Sequence, residues 1–186
     1  DPASSSDAPP QATGTSVSAT GIQANVNLDS REALPANAFD PTDTSPATDT
    51  YNKSTAVTIY DSLGNSHIYN LYFVKTATTN QWQVYATVSN PAGASVGVTA
   101  LGLVDTLTFG ADGTLPASYT PPTVTVSDTA LGYAGGVNPL SFPLNFSGST
   151  QYGASFTINS LVQDGFASGK LAGLAGLRVG YGAFPS

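Results

Sequence analysis

The sequence predicts an all-β fold, an antiparallel Greek-key or meander β-barrel or sandwich with long surface loops. Charged residues make up only 9% of the 186, against about 25% in an ordinary soluble domain. The Glu/Lys ladders that solvate exposed helix faces therefore cannot be built. A single glutamate, Glu32, stands among 12 acidic residues, and the rest are Asp, which favours caps and turns over helix interiors. Nineteen Gly and 13 Pro, with abundant Ser and Thr, supply further turn formers. The hydrophobic share of 40% is enough for one core, and the length fits one domain.

Taken in order, Asp1 to Gly14 shows no apolar periodicity and contains three prolines, so residues 1–14 read as a flexible lead or linker. Ile22, Ala24, Val26 and Leu28 alternate with Gln23, Asn25 and Asn27, the period of a half-buried strand. Asp29 to Asp49 is an acidic, turn-rich loop in which Leu34 and Phe39 are the expected plugs onto the core. Thr55–Tyr60, Ile68–Val74 and Trp82–Val88 then read as a three-stranded meander. Its turns are Asp61-Ser62-Leu63-Gly64-Asn65 and Thr78-Thr79-Asn80. Further strands are expected over 95–109, 123–127, 140–146 and 154–162. Gly110-Ala111-Asp112-Gly113 and Asp164-Gly165 read as reversals between them. The β domain spans 15–168. Residues 169–186 form a Gly/Ala/Leu-rich tail of separate character, with a short helix near 170–178 that Gly173 and Gly176 weaken.

Charge excludes several functions. The net charge is −7, with five basic residues spread along the chain, so no basic surface is available for nucleic acid. Anionic membranes would repel it, and no apolar run approaches the roughly 20 residues of a membrane-spanning helix. With no start Met or signal peptide, the sequence reads as a processed or excised segment. Absence of Cys removes disulfides, thiolate metal sites and cysteine nucleophiles. Seven acidic residues lie before Tyr51, which predicts a negative, solvated face there.

The candidate chemistry is sparse. Asp61, Ser62 and His67 bring together the residue types of a hydrolase triad. A triad is assembled from separate elements with an oxyanion hole beside the nucleophile, whereas these three share one hairpin. The turn-and-strand reading is therefore preferred, with His67 at the surface or half-buried. Asp40, Asp43 and Asp49 share a loop without the alternating ligands and closing Glu of a calcium site. Asn52-Lys53-Ser54 and Asn145-Phe146-Ser147 fit a glycosylation sequon of low specificity. Trp82, Tyr69, Tyr72 and Tyr85 could line a sugar platform, although core packing is the commoner fate of strand aromatics. No catalytic, cofactor-binding or metal-binding residues are assigned, and no cofactor is expected.

A longer set of residues resembles a known family. Tyr51-Asn52-Lys53-Ser54, Val57 to His67 (VTIYDSLGNSH), Leu71 to Thr76 (LYFVKT) and Gln81 to Tyr85 (QWQVY) closely resemble bacterial flagellar hook proteins. The lead-in Asn25 to Ser30 and Phe39 to Asp43 matches as well. So do Leu107-Thr108-Phe109, Asp112 to Leu115, and Leu144 to Ser149. The likeness runs in order over residues 15–168, and rod axial proteins share parts of the YDSLGN region.

The resemblance implies an outer β domain, the second of the family, without the terminal helices that build the inner tube. It implies a non-enzymatic, exported, extracellular structural part in motility, a universal joint that bends while carrying torque. Expected partners are neighbouring copies in a helical tube. For the full-length chain, rod, hook-cap and hook–filament junction proteins are added. The isolated fragment is expected to be monomeric. Turns 61–65 and 110–113 and the acidic 40–49 loop are expected to supply part of the subunit contacts. A secreted carbohydrate-binding or adhesin-like β-sandwich is the alternative that composition alone allows.

Overall fold

The computed structural model describes residues 8–90 and 97–167. Eight strands follow the predicted order: β1 (Ile22–Asn27), β2 (Lys53–Tyr60), β3 (Ser66–Lys75), β4 (Gln81–Asn90), β5 (Gly97–Thr108), β6 (Thr123–Val126), β7 (Leu140–Asn145) and β8 (Thr157–Gln163). They form two four-stranded sheets, β2-β3-β4-β5 and β6-β7-β1-β8. Among the described residues each sheet keeps two open edges, so the fold is a sandwich and not a closed barrel.

The first sheet is the expected meander extended by β5. Its turns have local causes. Asp61 Oδ1 accepts the backbone N–H of Leu63 and of Asn65, both at 2.9 Å, and closes the β2–β3 turn. At the β3–β4 turn Asn80 takes a φ of 59°, a left-handed conformation that Asn tolerates better than most residues. Alternation along β3 and β4 sends Tyr69, Leu71, Phe73, Trp82, Val84, Ala86 and Val88 inward, where all are buried.

The second sheet departs from the antiparallel expectation. β1 runs antiparallel to β8 but parallel to β7, with Ile22 beside Leu144 and Gln23 beside Asn145. A parallel pair needs a long crossover, and the whole first sheet lies between β1 and β7 in the chain. Ile22, Ala24, Val26, Leu140, Phe142 and Leu144 point to the shared core. The two sheets meet through aromatic edges, Tyr69 on Phe142 at 5.7 Å and Phe73 on Phe146 at 5.8 Å.

The end of the expected flexible lead is built into the sandwich. Gln11 pairs with Phe166 in both directions, and Thr13 donates its N–H to Tyr60 O. Ala12 and Thr13 are buried. Asp164, expected in a simple reversal, clamps this segment. Its carboxylate accepts from Gly14 N at 2.6 Å, Ser16 Oγ at 2.5 Å and Gly21 N at 3.1 Å. Gly14 and Gly21 pass so close to Ser141, Phe142 and Pro143 that a Cβ on either would collide with backbone. Composition marked this stretch as linker because its fixing partner lies some 150 residues away, as the Gly14–Asp164 separation shows.

Neither expected plug in the acidic loop reaches the core. Phe39 stacks on Tyr85 at 4.2 Å and meets Tyr72 at 5.7 Å, on the outer face of the first sheet. Leu34 remains 51% exposed. The helix expected near 170–178 and the tail 169–186 lie outside the described residues.

Candidate functional site

The triad residue types do not converge on a nucleophile. Far from being at the surface or half-buried, His67 is completely buried, as is Asp61. Its Nε2 lies 2.9 Å from Asp61 Oδ2 and its Nδ1 lies 2.7 Å from Asn90 Oδ1. The Asn90 amide is oriented by donation from Nδ2 to Ala130 O at 2.8 Å. Both ring nitrogens thus face side-chain oxygens inside the protein. Tyr133 adds its hydroxyl to Asp61 Oδ2 at 2.7 Å and accepts from Asn65 Nδ2 at 2.8 Å. Burial pushes the Asp61 carboxyl up, but hydrogen bonds from His67, Tyr133, Asn65 and Leu63 outweigh it and hold the group below its ordinary value. Ser62 stands apart, its Oγ accepting from Asn138 N at 3.4 Å. This cluster ties the β2–β3 turn to β4 and to the 127–139 connection. It is a structural brace.

The aromatic platform separates by strand parity. Tyr69 and Trp82 face the core, whereas Tyr72 and Tyr85 face outward beneath Phe39. Trp82 donates Nε1–H to Gln151 Oε1 at 2.7 Å inside the protein. The four rings therefore do not share one face.

The loop carboxylates serve their own turns. Asp40 Oδ1 accepts from Thr42 N and Oγ1, Asp43 Oδ1 from Ser45 N, and Asp49 Oδ2 from Asn37 Nδ2. Among the described residues no group of three His, Asp or Glu side chains could hold a metal ion. Asn52 of the first sequon is engaged on both amide ends. It donates to Ala33 O at 2.8 Å and accepts from Lys75 N at 2.8 Å. In the second sequon Asn145 Oδ1 accepts from Ser147 N at 2.8 Å.

One surface feature went unread in the sequence. The outward positions of β6-β7-β1-β8 align into a single face on which Gln23 neighbours Asn145 and Val162, and Asn25 neighbours Ser160. A shallow cleft of about 270 Å³ opens there, lined by Gln23, Asn25, Asn145, Ser147 and Ser160. The signal was available: none of the four strands contains a charged residue. Only the pairing shows that they belong to one sheet.

Comparison with known proteins finds relatives of this chain. The Caulobacter crescentus 32 kDa fragment of the flagellar hook protein FlgE overlaps 67% of this chain and 50% of its own, at 17% identity and a TM-score of 0.48. The sandwich itself rests on the strand pairing described above. Flagellar hook protein FlgE of Escherichia coli K12 is 36% identical over 153 residues, covering 82% of this chain and 35% of that protein. FlgE of Salmonella typhimurium LT2 is 35% identical over 157 residues, covering 83% and 35%. The chain thus spans about a third of the length of the curated relatives it matches. The model of the flagellar basal body protein FlaE D2 domain matches residues 27–166, which takes in β2 through β8. The chain belongs to the FlaE D2 domain family of flagellar basal body proteins.

Proposed function

We propose that the chain is a structural domain of a flagellar hook subunit, on the outer part of the tube that transmits motor torque to the filament. The observation that carries this reading is 36% identity over 82% of the chain to a flagellar hook protein. The domain is structural and not catalytic. Its partners are neighbouring copies in a helical assembly, held by heterologous contacts that do not close. Rod, hook-cap and hook–filament junction proteins contact the full-length subunit. The place of action is extracellular, after export.

The composition suits this role. A tube that bends as it turns needs outer contacts that shift without breaking strong ion pairs. Ser, Thr, Asn and Gln on a surface poor in charge provide wet, polar contacts of that kind. The exposed tip of the β2–β3 turn, where Leu63 is 57% exposed, the 110–113 turn and the 40–49 loop supply part of them.

Immunogold labelling with antibody to this chain, on flagella from the cells that express it, tests the proposal. Label confined to the short segment between cell body and filament is expected. Label along the cell wall, or along the filament, would overturn the assignment.

A further inference from the structure

We propose that the outward face of the β6-β7-β1-β8 sheet is the surface on which a second copy of this chain docks, a step that rests on the hook-subunit reading. The inference starts from charge. The chain carries a net charge of −7, so copies meeting at random repel one another. The acidic residues are unevenly placed. Asp29, Glu32, Asp40, Asp43 and Asp49 lie on the loop before β2, whose Phe39 packs on the outer face of the other sheet. That other sheet also holds Lys53, Lys75 and Asp105 in its strands. Against this, β1, β6, β7 and β8 contain no charged residue at all. The nearest carboxylate beyond β8, Asp164, is turned into the N–H and hydroxyl groups of residues 14–21.

The face therefore offers like-charged copies an approach without apposed carboxylates. Gln23, Asn25, Asn145 and Ser160 present amides and hydroxyls that both donate and accept, so they can pair with an identical or a shifted partner surface. Val162, beside Gln23 on the outward face, stands 53% exposed and gives the rim some apolar area. Four strands about 4.8 Å apart and roughly 20 Å long make a face of about 400 Å². That is half of the about 800 Å² per partner in a standard stable interface. The contact is weak in solution and becomes effective when copies are held side by side, where the local concentration is set by the assembly.

Amide chemical shifts of the 186-residue chain, followed by NMR from tens of micromolar to millimolar concentration, test this directly. Shifts that move with concentration should cluster on residues 23, 25, 145, 147 and 160–162. The double variant Asn25→Asp with Ser160→Asp should lose that dependence while keeping the wild-type melting temperature within a few degrees. Thr79→Asp, an exposed position on the β3–β4 turn, adds negative charge elsewhere and should leave the dependence in place. No concentration dependence, a cluster that leaves this sheet face out, or equal loss in Thr79→Asp would each overturn the proposal. Hook labelling without face shifts would keep the hook reading and remove this face. Face shifts without hook labelling would do the reverse.

Discussion

At the scale of single residues, the buried polar groups carry the most specific consequences. Asp61 sits at the centre of a cluster that includes His67, Tyr133 and two backbone N–H groups. Removing one partner of a buried pair leaves the other charge or dipole uncompensated, at a cost of about 3–5 kcal/mol. Asp61→Ala should therefore lower unfolding free energy by about that amount in denaturant titrations. Ser62→Ala, with one long hydrogen bond to lose, should stay within about 0.5 kcal/mol. Equal effects would mean that Ser62 belongs to the cluster after all. Tyr69 is the opposite case, because its hydroxyl is buried with no hydrogen-bond partner among the described residues. Burial alone pushes its phenol far up. An unmet buried hydroxyl costs about 1–3 kcal/mol, so Tyr69→Phe should be neutral or stabilising by about 1 kcal/mol. A loss beyond about 1 kcal/mol would show that the hydroxyl does have a partner.

At the scale of elements, the segment from Gln11 to Gly21 depends on one carboxylate from the far end of the chain. Asp164 accepts two backbone N–H groups and the Ser16 hydroxyl, and an amide has only one oxygen to offer them. Asp164→Asn should cost about 1.5–3 kcal/mol, the range for hydrogen bonds to a charged group. Hydrogen exchange at Gly14 and Gly21 should accelerate, with core amides of β3 and β4 affected less. Unchanged exchange at both glycines would show that their contacts with Ser141 to Pro143 suffice. This segment also shows where sequence reading stops. Strands β2, β3 and β4 were legible because period-2 alternation and turn residues are local signals. The same alternation puts Tyr69 and Tyr72 on opposite faces, against the platform reading that grouped them. The parallel β1–β7 pair, the Asp164 clamp and the burial of His67 depend on contacts between distant residues, which no local pattern encodes. The uncharged sheet face lay in the sequence in four pieces and became a surface only once the strands were ordered.

At the scale of the whole molecule, charge governs both stability and association. Burial raises Asp105 above 3.8 against the hydrogen bonds from Tyr119 and Thr106. Burial also opposes ionisation of Asp61 and Asp164, but hydrogen bonds prevail and both lie below 3.8. As pH falls from neutral, protonation of Asp105 comes first and relieves a cost, so stability holds or rises slightly. Below 3.8 the stabilising ionised forms of Asp61 and Asp164 are lost as pH passes their folded values. Melting temperature should therefore stay level down to about pH 4 and fall beneath it, and a steady decline from neutral pH would contradict this balance. The same charge keeps copies apart. Each carries −7, and the uncharged face of about 400 Å² is too small for a stable dimer. Light scattering coupled to size exclusion should report a mass near 18.8 kDa at micromolar concentration. Added salt should promote weak association by screening the repulsion, since the Debye length shortens to about 8 Å at physiological ionic strength. A tight dimer or filament formed by this chain alone would mean that the β domain carries strong assembly contacts, and a sliding outer contact would then be untenable.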